Sequence, residues 1–431
     1  MTRRGFLQST AALAAARRVA ANDRVQFAFI GCGARAHELM NALMAHPQAA
    51  VTGVVDAYKG RLERAIERVG KQARVMKDYR AAIADKSIDA LVVATPDHWH
   101  KQIVLDALAA GKDVYCEKPL TFRSAEGLEI IEAARRHGRI VQVGSQGMSS
   151  RAQGKARELI AAGKIGKVTM VRAAYNRNTA SGAWIYPIPP DASPATVDWE
   201  MFLGPAPKRA FNLERFFRWR CYQDYSGGIA TDLFVHLCTT IHFLMNAKAP
   251  AKVMAMGQLY RWKDSREVPD TLNALLEYPE GFAVNLSSTF NNQSTAEGSF
   301  QFLGAEGTLS LESGRLLHQP ETAREDNRWI VESWPKRLEE AYWADPKVKQ
   351  SELPGTWASR LVQGETVYRE EGRDATVDHL GHFLDSIRSR QPYWQDAAAG
   401  HRAAACAHMV NLSAATGRLV EWDFAKDDIK A

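Results

Sequence analysis

An apolar run, Val25 to Ile30, stops abruptly at the octet FIGCGARA (residues 29–36), which contains Gly-x-Gly-x-x-Ala. Such a turn joins a buried strand to the start of a helix. Gly31 permits the tight bend, Gly33 lets backbone approach a pyrophosphate, and Ala36 lets helix and strand pack closely. A lone match of this kind carries little weight, so its setting decides what it means. The following 110 residues alternate strictly between short apolar runs and helical periodicity. Strands are expected at Val25 to Ile30, Ala50 to Val55, Ala90 to Thr95, Val114 to Cys116 and Ile140 to Gly144. Helices are expected at Ala36 to Ala45, Lys59 to Val69, Tyr79 to Ala84, Ile103 to Ala110 and Ser124 to His137. Strands buried on both faces and separated by helices imply a doubly wound parallel sheet.

In that setting the glycine turn is a dinucleotide cradle. The helix that follows supplies amide donors and a partial positive charge to phosphates. Asp56 closes the second strand, where a carboxylate accepts bonds from the adenosine ribose hydroxyls. The expected cofactor is a tightly bound NAD, because Asp56 repels a 2′-phosphate. Lys59 and Arg61 nearby keep NADP open. Two further stretches leave strand ends, where ligands of such sheets bind. ATPDHWH (94–100) brings Thr95, Pro96, His98 and His100; CEKPL (116–120) brings Glu117 and Lys118. A lysine before proline sits on stiff, extended backbone, suited to placing an ammonium over a substrate. With Gln146, these residues join Gly31, Gly33, Ala34, Arg35, Ala36 and Asp56 as the candidate cofactor contacts.

After Gly147 the alternation ends. Residues 179–220 are long, aromatic and rich in proline, and include Trp184, Tyr186, Trp199 and Trp219. Loops of this length are usually functional, and stacking on sugar faces competes with simple packing as an explanation. Gly227 to Met245 reads as a helix. Period-two strands follow at Lys252 to Arg261, Thr271 to Tyr278, Ala283 to Phe290, Ser299 to Leu303 and Thr308 to Leu311. Helices return at Thr376 to Ser389 and Ala397 to Arg418. The second domain, 146–431, is therefore α+β with an open, mostly antiparallel sheet, and the first occupies 22–145. An open sheet face has to be covered, so a homo-oligomer, dimer or tetramer, is expected. On the helix, Asp232 and His236 have i, i+4 spacing, which places them on one face. A carboxylate there raises the basicity of an imidazole or binds the same substrate.

FIGCGARA, VVD, ALVVATPDHWH, VYCEKPL and QVGSQ together resemble the Gfo/Idh/MocA family, named for glucose–fructose oxidoreductase, inositol dehydrogenase and a rhizopine-catabolism protein. VDWEMFLGPAPKRAFNLERFFRWR and YSGGIATDLFVHL resemble its exported, twin-arginine branch, and the likeness spans about residues 25–420. The resemblance implies an NAD(P)-dependent oxidoreductase acting on a sugar, glycoside or polyol. It also implies that Lys118, Asp232 and His236 converge on the substrate, with His236 as base. Trp184, Arg220 and Tyr225 complete the candidate substrate contacts. Many members carry an acid three residues after the histidine, and this chain has Thr239. Two other readings stay open: a redox-neutral NAD-dependent glycosidase, and a non-catalytic dinucleotide-binding sensor.

Composition narrows the partners. The 431 residues carry a net charge of +6 with basic residues scattered, which disfavours nucleic acid. No run reaches the roughly 18 apolar residues of a membrane span, so no membrane insertion is expected. Five cysteines without CxxC spacing suggest neither a metal site nor a disulfide framework. Thr2-Arg3-Arg4-Gly5-Phe6-Leu7 resembles a twin-arginine signal occupying residues 1–21, which places the mature protein in the periplasm. Were the signal degenerate, the protein would stay in the cytoplasm.

Overall fold

The computed structural model describes residues 24–293, 298–321, 324–352, 364–372 and 374–430; the export segment lies outside them. The first sheet contains β1 (Val25–Ile30), β2 (Ala49–Val55), β3 (Arg74–Val75), β4 (Ala90–Val93), β5 (Asp113–Glu117) and β6 (Val141–Gly144). Their order is β3-β2-β1-β4-β5-β6, with every pairing parallel. The order reverses between β1 and β4, which opens a crevice at their carboxyl ends. Phe27, Phe29, Leu91, Val92 and Tyr115 are wholly buried, as strands covered by helices on both faces require.

The second sheet has ten strands. They are β7 (Val168–Ala174), β8 (Lys252–Gln258), β9 (Thr271–Tyr278), β10 (Phe282–Thr289), β11 (Ser299–Gly304), β12 (Gly307–Glu312), β13 (Arg315–Pro320), β14 (Glu365–Arg369), β15 (Val420–Asp423) and β16 (Asp428–Ile429). The order is β14-β13-β12-β11-β7-β10-β9-β8-β15-β16, and only β7 with β10 is parallel. Alternation puts Leu272, Ala274, Leu276 and Tyr278 of β9 on the core face. The opposite face exposes Met254, Met256 and Leu275.

The two halves share packing. Helix Ala375–Ser389 comes late in the chain, yet its Leu380, Phe383 and Leu384 belong to the core of the first sheet. Phe383 meets Phe27 and Tyr115 at ring separations of 6.1 and 5.7 Å. Helix Ala397–Thr416 buries its small residues against both halves, including Ala397 against the first sheet and Cys406 and Met409 against the second. All five cysteines are buried as free thiols. Among the described residues no helix is long and apolar enough to cross a membrane, and no cluster of His, Cys, Asp or Glu could hold a metal ion.

Candidate active site at the cradle and the domain junction

The glycine turn leaves β1 and enters helix Ala34–Met44 with no side chain capping the first amides. Gly31 has φ +86°, and a Cβ there would lie 2.7 Å from the Ala94 carbonyl oxygen. Only glycine satisfies both constraints. A Cβ on Gly33 would meet nothing within 4 Å, so the cradle is open at that point. Ala36 is buried under the turn, whereas Ala34 is exposed. Asp56 Oδ2 accepts the Cys32 amide at 2.7 Å and Oδ1 accepts the Tyr58 amide at 2.8 Å, so the carboxylate braces the turn as well as facing the cleft. The Thr95 hydroxyl is buried without a protein partner. An open glycine cradle, free helix amides and an orphaned hydroxyl beside them fit a dinucleotide.

A cleft of 490 Å³ runs from Gly31 past Asp56, Thr95 and Pro96 to Trp99. Its other wall comes from the aromatic insertion, through Asp198, Met201, Phe202, Phe216 and Trp219. Helices Trp199–Leu203 and Leu213–Phe217 interrupt this stretch. Backbone bonds fasten it to β2's end: Asp198 N donates to Ala57 O at 2.7 Å, and Lys59 N donates to Thr196 O at 3.0 Å. Tyr58 OH donates to Asp191 Oδ1 at 2.6 Å, and Trp99 Nε1 donates to Phe202 O at 2.9 Å. Arg61 lies over the rings of Phe216 and Phe217 at 5.3 and 5.2 Å. Gly204 has φ +46° and lies so close to Trp99 that a Cβ would fall 2.0 Å from its ring. The insertion is a strap over the Asp56 end of the cleft.

Several sequence candidates support this frame rather than line the cleft. His98 Nε2 is 3.0 Å from Phe202 O, and burial pushes its pKa down to about 4. Both nitrogens of His100 lie against carbonyls, Pro119 O at 2.7 Å and Thr95 O at 3.0 Å, which steadies the turn carrying Lys118. Tyr225 is buried against Phe202 at 4.9 Å. Trp184 does not reach the cleft: it is 2% exposed and meets Phe290 edge-on at 4.8 Å. Its apolar ring finds a better environment in the second core than in solvent. Glu117 Oε1 accepts from Arg35 Nε at 3.0 Å and from Gln146 Nε2 at 2.7 Å, one network joining three of the candidates.

The candidate substrate residues Lys118, Asp232 and His236 meet where the domains join. Lys118 follows β5 and has a cis bond to Pro119. Its ammonium donates to Asp232 Oδ1 at 2.9 Å and to Asp232 O at 2.7 Å. Arg220 Nε donates to the same Oδ1 at 2.9 Å. Burial opposes ionisation of Asp232, but Lys118 and Arg220 outweigh it and hold the carboxyl well below the usual range. Asp232 lies in a π turn, Ala230–Phe234, which runs into helix Val235–Met245 carrying His236. Such wide turns occur often at functional sites. His236 faces Tyr175, with ring centroids 6.2 Å apart, and among the described residues makes no hydrogen bond to Asp232. Its pKa is pushed well below normal, by burial first and Lys118 second, with Asp232 opposing. The spacing left two roles for the carboxylate, raising the imidazole's basicity or binding the same substrate; Asp232 does act to raise it, but burial and the nearby ammonium outweigh that effect. Thr239 donates to Val235 O at 2.7 Å within its own helix.

Residues 25–145 match the oxidoreductase family with an NAD-binding Rossmann fold, and residues 157–422 match its C-terminal alpha/beta domain. The chain belongs to the Gfo/Idh/MocA family. It is an NAD(P)-dependent oxidoreductase by that membership. An inositol 2-dehydrogenase/D-chiro-inositol 3-dehydrogenase of Shouchella clausii is 26% identical over 323 residues, covering 74% of this chain and 80% of that protein. Inositol 2-dehydrogenase 2 of Saccharopolyspora erythraea is 35% identical over 148 residues, 34% of this chain and 43% of that protein. Among solved structures, levoglucosan dehydrogenase in complex with NADH and levoglucosan superposes with a TM-score of 0.68 at 18% identity, covering 92% of this chain and 99% of that one. The WlbA dehydrogenase of Bordetella pertussis, in complex with NADH and UDP-GlcNAcA, gives 0.65 at 18% identity, covering 93% and 99%. At these identities the structural likeness supports the fold.

Sequence reasoning singled out residues 179–220 but did not place them as a strap over the cleft. The clustering of aromatic and proline residues in 179–220 was the available signal for the strap.

Proposed function

We propose that this oxidoreductase oxidises a hydroxyl-bearing carbon of a sugar, glycoside or polyol, with its nicotinamide dinucleotide retained between turnovers. The observation that carries the reading is Lys118 and Arg220 converging on Asp232 beside a neutral His236. A neutral imidazole can accept the proton of a substrate hydroxyl. Asp232, held ionised, accepts a bond from that hydroxyl and steadies the imidazolium once it forms. Lys118 stabilises the oxyanion that develops on the substrate. Bound NAD supplies the hydride acceptor, and Gly31, Gly33, Thr95 and Asp56 would hold it. The inositol and levoglucosan dehydrogenases among the similar proteins agree with a polyol or sugar.

Retention is supported by the strap, which spans the cleft with hydrogen bonds at both sides. A resident cofactor has to be restored in place. The site can do so by reducing a second carbonyl, or through a redox-neutral cycle of oxidation, elimination, hydration and reduction that cleaves a glycoside. The purified protein, incubated with polyols, free sugars and aryl glycosides, separates these. An oxidised sugar formed together with a reduced carbonyl compound supports coupled oxidation, aglycone release with neither supports cleavage, and net reduction of added NAD would show that the nucleotide exchanges and overturn retention. No reaction with any of them, with nucleotide bound, supports a sensor.

Export fits this retention, since the twin-arginine route carries folded proteins with their cofactors. Replacing Arg3 and Arg4 by Lys should hold the protein in the cytoplasm; unchanged fractionation would remove this part of the reading. The exposed Met254, Met256 and Leu275 suit self-association through the second sheet. A monomer by light scattering would refute it.

A further inference from the structure

Trp219 and Arg220 are neighbours in one short turn, Trp219–Cys221, yet they serve two different places. Side chains of successive residues in so tight a turn leave about a third of a turn apart. The Trp219 ring lines the dinucleotide cleft. Arg220 does not line it; its Nε donates to Asp232 Oδ1 at 2.9 Å. The arginine nevertheless folds back on its neighbour, with Cζ 4.2 Å from the Trp219 ring centroid. A guanidinium laid on an aromatic face keeps its in-plane N–H groups free, so one side chain can stack and bond a carboxylate together. Among the described residues this hydrogen bond and this ring contact are what place the guanidinium. The backbone of the turn is fastened independently: Glu267 N donates to Cys221 O at 2.8 Å, Tyr222 N to Trp219 O at 3.0 Å, and Arg218 Nε to Tyr186 O at 3.1 Å. The long arginine side chain is therefore the adjustable part, and the ring is what it rests on.

We infer that Trp219 is a positioning residue that ties occupation of the cleft to the substrate-side carboxylate: its ring is at once a wall of the dinucleotide cleft and the platform that holds Arg220 to Asp232. The inference rests on the reading that the nucleotide occupies this cleft and that Asp232 serves the substrate. A nucleotide packed against the ring restricts it to the orientation on which the guanidinium stacks. Arg220 and Lys118 then both reach Oδ1, and the carboxylate is fixed before a substrate arrives. Coupling of this kind is reciprocal: Arg220, although it does not line the cleft, helps in turn to retain the nucleotide.

The test uses the full-length protein loaded with NADH, whose release is followed by its fluorescence after a chase with excess NAD. Most of a change in affinity appears in the release rate. Arg220→Met is expected to speed release about fivefold or more, the lower range of a coupling between sites. In a Trp219→Leu background, itself faster than the wild type, Arg220→Met is expected to add nothing. Unchanged release in Arg220→Met overturns the inference. So does the same acceleration in both backgrounds, which would mean a direct effect of charge on the phosphates rather than a contact through the ring. Arg220→Lys keeps the charge and loses the flat guanidinium, so it should release NADH as fast as Arg220→Met. Wild-type release by Arg220→Lys overturns the inference, and this variant decides even if Trp219→Leu does not fold. Turnover of levoglucosan, myo-inositol and aryl glycosides provides the second readout. With whichever is consumed, Trp219→Leu at saturating NAD should lower kcat/KM, and a wild-type value overturns the positioning of Asp232. No sugar enters the release measurement, so failure of every substrate counts against the proposed activity alone, and the release rates then decide the coupling by themselves.

Discussion

The ammonium of Lys118 lies 2.9 Å from Asp232 Oδ1 and 2.7 Å from the same residue's carbonyl oxygen, a contact across 114 positions of chain. It joins the residue that follows β5 in the first domain to the π turn of the second. One lysine thus fixes how the cofactor-binding and substrate-facing elements meet. It also holds a buried carboxyl ionised where burial alone would protonate it.

Lys118→Met is expected to weaken the protein most above about pH 4, where the pair is fully formed, and least in strong acid. Asp232 has a depressed folded pKa, so its contribution is present above the unfolded value, about pH 4, and is lost as pH falls through the folded one. Removing Lys118 raises the folded value, so acid unfolding monitored by circular dichroism should move to higher pH. The loss at neutral pH should lie below the roughly 3–5 kcal/mol of a fully broken buried pair, because Arg220 keeps its bond. An unchanged acid midpoint would mean that the pair contributes nothing to the fold.

His236→Ala is expected to lower kcat by about 10²–10⁴-fold, the usual contribution of a general base. Nucleotide content should stay unchanged, since the cradle lies on the other domain. Wild-type turnover of any true substrate would show that another group takes the proton.

Asp56→Asn should shift preference from NAD toward NADP by about tenfold or more, equivalent to roughly 1.4 kcal/mol. The substitution removes a negative charge, and Arg61, 3.8 Å from Asp56, becomes available to a 2′-phosphate. Titration calorimetry of stripped protein with each nucleotide reads the ratio. No change in the ratio would show that the carboxylate acts only on the amides of Cys32 and Tyr58.

Gly204→Ala should loosen the strap, because its Cβ would fall 2.0 Å from the Trp99 ring and its φ of +46° disfavours a side chain. Mass spectrometry after gel filtration is expected to find less nucleotide per protomer, with the far-ultraviolet spectrum preserved. Full retention would show that the strap does not hold the cofactor.

The parallel sheet was readable because its determinants are local. Short apolar runs, helical periodicity and a glycine pair at a strand end each act over fewer than a dozen residues. The same is true of Asp56 and of Lys118 before its proline. The strands of the second sheet were readable through β12 from their period-two pattern, Ser299–Gly304 and Gly307–Glu312 among them. Strands β13 and β14 were not, although they pair at the sheet's edge.

The sequence alone thus determined a dinucleotide cradle, a second sheet domain and the three residues of the candidate site. Tertiary structure decided what each of those groups experiences. Helical spacing placed Asp232 beside His236, but only packing brought Lys118 and Arg220 onto the carboxylate and left the imidazole neutral. Trp184 and Trp219 belong to the same aromatic stretch; one is enclosed against Phe290, and the other lines the cleft. Asp97 is four residues from the end of β4 in sequence, and burial, with Asp232 second, pushes its carboxyl up to about 7. Burial and charge sharing depend on which distant side chains fold against a group, and no local pattern encodes that.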